Sequence, residues 1–339
     1  MIYPADVTTK NFLIKPDKNK FDRNLVFEEI EKNIIPHWNT WGKFQQVWTH
    51  QAFNIFKDFD KYLVLIYLMR EHFQSLANKF EYYSYDEFYE FQTISINKLN
   101  LIKIANELNI PKENIRRKIN ELQKDEILKR EGKKFILNKK LINYQKPEIA
   151  LEAISNFIYK KSDIFQGKDW FGDKVEKKEI EIYIKKYFTV LWLGFLKLQI
   201  PFLLRHRDNF QDLETWMVWG NIALNHQQDF KKFKDNSVEH NQIDYKNYYE
   251  HIVKLKIIRG VNASSIADIS GIPRATVMRK LRWLVIKNVI KKNKNLEYFC
   301  QYKGKLNKKI EENFKTNQVF VAEYLTNFFD YYKNSNFKL

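Results

Sequence analysis

The stretch "SSIADISGIPRATVMRKLRWL", residues 264–284, decides how this chain is read. Ser264 can cap a short helix carrying Ile266, Ala267 and Ile269, since a hydroxyl there accepts an orphan backbone N–H. Gly271 then supplies the left-handed residue that commonly closes a helix. Pro273 follows near the start of a second helix, where its missing N–H costs nothing. In that helix Val277, Leu281 and Leu284 recur at i, i+4 and i+7 as one inward apolar stripe. Arg274, Ala275, Met278, Arg279 and Arg282 are left on the outer face or its margins. The spacing therefore predicts two helices joined by a tight turn, with an apolar seam inside and an arginine row outside. The planar arginine fork pairs with guanine O6 and N7 or grips a phosphate through two bonds. Such a helix suits a DNA major groove.

The next residues, "VIKNVIKKNKNLEYFCQYKGK" (285–305), hold two short β-prone runs around Val289–Lys291 and Leu296–Gln301, separated by polar "KKNKN". They predict a β-hairpin with Lys291, Lys292 and Lys294 near its tip, placed for phosphate contact. A second stretch, "KIANELNIPKENIRRKINEL" (103–122), has the same layout. Aligned without a gap at an offset of 162, residues 96–130 and 258–292 share Ile96, Asn100, Ile104, Ala105, Ile110, Pro111, Arg117, Lys118, Leu122 and Lys129. Ile115 stands for Val277 and Ile119 for Leu281. Asn109 stands for Gly271, and asparagine also visits the left-handed region. "KREGKKFILNKK" (129–140) gives the matching hairpin, with Gly132 at its turn. The chain thus carries a duplication.

Charge is concentrated on the same two regions. The net formal charge is +17 over 339 residues. Residues 98–145 hold 13 Lys/Arg and 6 Asp/Glu, and residues 259–307 hold 11 and 2, so together they carry +16 of it. No acidic residue occurs between Ile269 and Leu296. A positive potential focused in this way suits a polyanion. In the first copy Glu107, Glu113, Glu121, Asp125, Glu126 and Glu131 dilute the charge, which leaves a structural-twin role open beside a DNA-binding one.

Both segments resemble the winged helix-turn-helix of bacterial transcription regulators of the MarR, IclR and GntR kind. In those families the second helix often follows "[ST]-x-x-T-V-x-R-x-L-x-x-L-x-x-x-x-[LVI]-[IL]", and residues 273–290 read "PRATVMRKLRWLVIKNVI". The match departs at Pro273, where Ser or Thr is usual. The first copy, "PKENIRRKINELQKDEIL" (111–128), departs further, with Asn114 for Thr and Glu113 on the reading side. About 90 residues are covered. The candidate DNA-binding residues are Arg274, Thr276, Arg279, Lys280, Arg282, Lys291, Lys292 and Lys294 in the second copy. In the first they are Lys112, Asn114, Arg116, Arg117, Asn120, Lys133 and Lys134.

Other chemistry has little support. Cys300 is the only cysteine, and no Cys/His cluster has zinc-ligand spacing. Histidines 37, 50, 72, 206, 226, 240 and 251 form no HExxH and read as satisfied core or surface residues. No Gly-rich phosphate loop, nucleophile elbow or paired-carboxylate motif is present, so no enzyme, cofactor or metal is expected. "HWNTWGKFQQVW" (37–48) sets Trp38, Trp41, Phe44 and Trp48 near one helical face. It reads as packed core, or as an aromatic pocket for a small-molecule effector.

The remaining chain predicts a mainly α protein: two helical bundles, each carrying one such motif, with small hairpin wings supplying nearly all the β-structure. Nine glycines and seven prolines favour long regular elements. The division expected is 1–147, with its motif at about 96–142, and 148–339, with its motif at about 258–305. Helical stretches are expected near 24–35, 38–57, 60–80, 84–93, 148–161, 176–204, 210–233, 243–258 and 307–334, with a surface loop at 161–177. The apolar run 188–204 is interrupted by Lys197, Gln199 and Pro201, which predicts a buried helix broken near Pro201 rather than a membrane span. The N-terminus lacks a signal-peptide core, and a cytoplasmic location is expected. The functional expectation is a sequence-specific, double-stranded DNA-binding transcription regulator. One chain would do the work of a dimer, as a pseudo-dimeric monomer or a further homodimer. Alternatives are a plasmid-type replication initiator, which also pairs two winged helices, and a protein–protein adaptor.

Overall fold

The computed structural model describes residues 21–32, 34–91, 93–96, 99–132, 134–138, 148–166, 175–232, 259–301 and 304–335. The predicted helix at 243–258 lies outside them. The described chain is mainly helical, with five short strands. Helices α1 (Arg23–Lys32), α2 (Ile34–Phe56), α3 (Phe59–Asn78) and α4 (Tyr85–Glu90) come first. Strand β1 (Thr93–Ile96), helices α5 (Leu101–Leu108) and α6 (Lys112–Lys124), strands β2 (Leu128–Glu131) and β3 (Lys134–Asn138), and helix α7 (Glu148–Gln166) follow. Then come α8 (Lys177–Lys186), α9 (Phe188–Phe210), α10 (Leu213–Lys232), α11 (Ala263–Ser270) and α12 (Arg274–Ile286). Strands β4 (Ile290–Lys292) and β5 (Tyr298–Cys300) and helix α13 (Lys305–Asn334) complete the described order.

The duplication runs through the bundle as well. Arg23, Ile34 and Phe59 open α1, α2 and α3, and the residues 154 positions on, Lys177, Phe188 and Leu213, open α8, α9 and α10 with the same helix lengths. At that offset Trp38 matches Trp192, Gln45 matches Gln199, Phe56 matches Phe210 and Asp58 matches Asp212. Contacts are exchanged across the repeats. Helix α3 packs on α9 as α10 packs on α2, and α7 lies against α8 and α2 as α13 lies against α1 and α9. In element order α7 thus holds the place in the first repeat that α13 holds in the second. At the centre the Nε2 groups of Gln45 and Gln199 each donate to the other's Oε1 at 2.8 Å, with both side chains buried. A reciprocal bond between equivalent residues marks a pseudo-two-fold axis.

One continuous core spans both repeats. Aromatic rings fill it: Trp41 meets Phe157 and Phe202 with centroids 5.2 Å apart, and Trp48 meets Phe195 at 4.7 Å. Edge-to-face and tilted pairs of this kind each add about 0.5–1.5 kcal/mol beyond their buried area. The "HWNTWGKFQQVW" face is therefore packed core. Trp38 and Trp41 line a cavity of about 40 Å³ beside it, shared with Phe202, His206, Trp216 and Phe314. That is room for a water molecule or two.

Several expectations need correction. The run 176–204 is two helices that part at Tyr187, and α9 continues through Pro201 to Phe210 without a break. A mid-helix proline costs about 3 kcal/mol. Burial of Ile200, Phe202 and Leu203 around it offsets that cost. Helix α9 is long and apolar enough to cross a membrane, yet 67% of its most apolar window is buried inside the protein. It packs against α3, α10 and α13 within the bundle. The loop expected from 161 is helical to Gln166, with Lys161, Ser162 and Phe165 buried. Residues 93–96, outside the expected hairpins, form β1. In α13, Phe314, Val321, Leu325 and Phe329 are buried and Val319 is exposed.

Candidate nucleic-acid interface

The two quoted stretches fold alike. Helix α5 is capped by Asn100, whose Oδ1 accepts from the N–H groups of Ile102 and Lys103 at 3.1 Å. Helix α11 is capped by Asn262, 162 positions on, accepting from Ser265 N–H at 2.9 Å. Asn262, not Ser264, is the cap. The Ser264 hydroxyl instead accepts from Arg274 Nε at 3.1 Å. Asn109 (φ 49°, ψ 45°) and Gly271 (φ 68°, ψ 9°) both take the left-handed conformation that turns the chain into the second helix. Pro111 and Pro273 stand at the N-cap positions of α6 and α12. Val277, Leu281 and Leu284 are fully buried, as are Ile115, Ile119 and Leu122 in the first copy. Each such side chain contributes about 1.5–3 kcal/mol of transfer free energy.

A small antiparallel sheet completes each unit. In the first its order is β1-β3-β2, with Leu128 opposite Leu137 and Glu131 opposite Lys134. In the second, β4 pairs with β5, and Val261 forms a single bridge to Tyr298 where a third strand would run. Each unit is braced by the other repeat. Arg207 of α9 donates to the carbonyls of Leu108 and Asn109 in the first turn, at 2.8 and 3.1 Å. Across the axis, Asn54 of α2 crowds Gly271, where an added Cβ would sit 2.7 Å from its Oδ1. The bundle therefore fixes where both units stand.

Arg274, Arg279 and Arg282 are exposed along one face of α12, with Thr276 half-buried at its margin. Among the described residues neither Arg279 nor Arg282 has a carboxylate partner within ion-pair distance. Lys291, Lys292 and Lys294 are exposed on the adjoining hairpin. Lys291 lies over the Phe299 ring and Lys292 over the Tyr298 ring, 5.8 and 5.9 Å from the centroids. Among the described residues the second unit therefore presents a cationic face whose arginines have no carboxylate paired to them.

Lys280 does not belong to that face. It is 8% exposed, and its ammonium binds Asp212 Oδ2, with Glu214 3.5 Å away. Asp212 is also the cap of α10, accepting from Thr215 N–H at 2.7 Å. The equivalent Lys118 is 5% exposed and binds Asp58 at 2.5 Å and Glu121 at 2.9 Å. Asp58 caps α3 in the same manner. Burial works to raise the Asp58 carboxyl, but the hydrogen bonds from Lys118 and from the Lys61 and Asp60 amides outweigh it and hold it below the usual carboxylate range. Each long second helix is thus pinned by one buried lysine to the start of a bundle helix.

The first unit differs in its outer charges. Lys112, Arg116, Arg117, Asn120 and Lys134 are exposed and Asn114 is half-buried, while Lys133 lies outside the described residues. Arg116 is held by Glu113 at 2.6 Å, Arg117 reaches Glu121 at 3.8 Å, and Lys103 binds Glu71 at 2.6 Å. Both arginines of α6 thus stand beside carboxylates of their own helix.

His37, His206 and His226 are buried, and burial foremost holds all three below their ordinary value, His206 at about 3 and His226 at about 4. Burial pushes the Cys300 thiol well above its usual range. Among the described residues no three His, Cys, Asp or Glu side chains gather as metal ligands. His240 and His251 lie outside the described residues. No family model, curated protein or solved structure matches the chain.

Proposed function

We propose that the protein is a sequence-specific, double-stranded DNA-binding transcription regulator in which two winged helix-turn-helix units are presented by one chain. The observation that carries this reading is the α12 face: exposed arginines without carboxylate partners among the described residues, beside a hairpin bearing three exposed lysines. Arginine on a helix and lysine on a wing divide the labour of base contact and phosphate contact. The strand order β1-β3-β2 around α5 and α6 supports the winged-helix reading of the first unit. The pseudo-two-fold bundle supports the pseudo-dimer, because it sets the units about the Gln45–Gln199 axis as a homodimer would set two subunits. The second unit is the principal reader, and the first, with its arginines engaged by Glu113 and Glu121, adds weaker and different contacts. The site read is accordingly two unlike half-sites.

Affinity for duplexes selected from random DNA, measured across a salt series, tests this. Replacing both Lys292 and Lys294 by alanine is expected to weaken all sequences alike and to lower the slope of log K against log[salt] by about 2. An adaptor would show no salt-dependent duplex binding at all. A replication initiator would select tandem repeats and melt the adjoining duplex.

A further inference from the structure

The β4–β5 hairpin ends in a residue that the protein alone has no reason to keep. Asn293 N–H donates to Glu297 O at 3.0 Å and Glu297 N–H to Asn293 Oδ1 at 2.9 Å, which closes a loop of Lys294, Asn295 and Leu296. Leu296 N–H donates back to Asn293 O at 3.2 Å. The third residue of such a loop takes the left-handed conformation, which favours glycine or asparagine. Leu296 takes it at φ 61°. The hairpin of the first unit supplies the internal comparison, because Gly132 there has the same φ of 61°. A leucine in this conformation carries a steric cost that glycine does not. Its side chain recovers little of that through burial, being 60% exposed. Phe80 shares exposure and positive φ, but it follows the end of α3 between Lys79 and Glu81, whereas Leu296, although followed by Glu297, shares its hairpin with Lys291, Lys292 and Lys294.

We infer that Leu296 is an apolar wedge that the hairpin presents to the minor groove of DNA, partly unstacking a base step while the flanking lysines hold the phosphates. Apolar residues inserted between base steps kink a duplex, and flexible pyrimidine–purine steps yield most readily. The fixed left-handed backbone aims the side chain outward from a braced loop, so the wedge is presented without further ordering. Leu296 thereby adds a shape preference that the α12 arginines do not supply. This inference rests on the DNA-binding reading above.

The test uses the full chain and a duplex recovered by selection from random DNA, labelled at both ends for energy transfer and carrying 2-aminopurine at successive positions. Wild type is expected to bend the duplex and to brighten 2-aminopurine at one step beside the principal half-site. Leu296→Asn keeps a residue suited to the left-handed turn, so its thermal midpoint is expected to be unchanged or higher. Its affinity is expected to fall about tenfold, its bend to shrink by roughly 20° or more, and the 2-aminopurine signal to vanish. Leu296→Met retains an apolar side chain and is expected to restore bend and signal. Unchanged affinity and bend in Leu296→Asn, with wild type still binding, would overturn the wedge alone. Absence of any salt-sensitive duplex binding by wild type would overturn the DNA-binding reading, and the wedge with it.

Discussion

Replacing Asp212 by alanine is expected to destabilise the protein by about 2–4 kcal/mol, read as a shift in a denaturant midpoint at unchanged slope. Two losses combine. Helix α10 loses the cap that accepts from Thr215 N–H and Thr215 Oγ1, worth about 1 kcal/mol. Lys280, with a side chain only 10% exposed, keeps one partner, Glu214 at 3.5 Å. Removing one member of a buried pair costs more than the pair contributes, because the remaining charge stays in a poorly solvated place. The side chain of Asp212 is 41% exposed, so water enters and the cost falls below that of a fully buried pair. Lys280→Met separates this structural role from a DNA contact. It keeps the packed stem, removes the charge, and is expected to change stability by less than about 1.5 kcal/mol. Its DNA affinity is expected to match wild type. A loss as large as that from an exposed arginine would return Lys280 to the binding face.

Arg279→Ala is expected to reduce affinity for the selected duplex by about 1–3 kcal/mol, roughly 5- to 150-fold, and to relax preference at the base it faces. Folding stability is expected to change by no more than about 0.5 kcal/mol, since Arg279 is exposed and has no ion-pair partner among the described residues. Arg117, its counterpart in the first unit, stands 3.8 Å from Glu121. Arg117→Ala is therefore expected to cost less than Arg279→Ala on the same duplex. Equal losses would mean that the acidic neighbours do not weaken the first unit. No loss from Arg279→Ala would mean that α12 does not lie in the groove.

The turn chemistry and the apolar stripe of both units were legible because they depend on local geometry alone. A left-handed residue needs glycine or asparagine, and a helix packed on one side needs apolar residues at i, i+4 and i+7. The cap was misplaced because Ser264 and Asn262 both suit the role. The identity of Asn100 with Asn262 carried the signal that separates them. Lys280 stands among the candidate DNA-binding residues by its charge, although it follows Val277 by three and precedes Leu284 by four, which puts it on the inward side. A lysine there needs a carboxylate from another element, and Asp212 is distant in sequence. The repeat in the bundle escaped a gapless comparison because its offset is 154, not 162. The difference of eight residues falls between α10 and α11. Local signals misplace the helix breaks: the chain parts at Tyr187, where neither glycine nor proline stands, and continues through Pro201.

The most direct test of the central claim is a hydroxyl-radical footprint on a selected duplex, with the mass of the complex measured in parallel. One chain per duplex, protecting two unlike segments centred about one helical turn apart, is the result expected of two units fixed on one pseudo-symmetric bundle. Protection of a single segment by one chain, or of two matching segments by two chains, would contradict it.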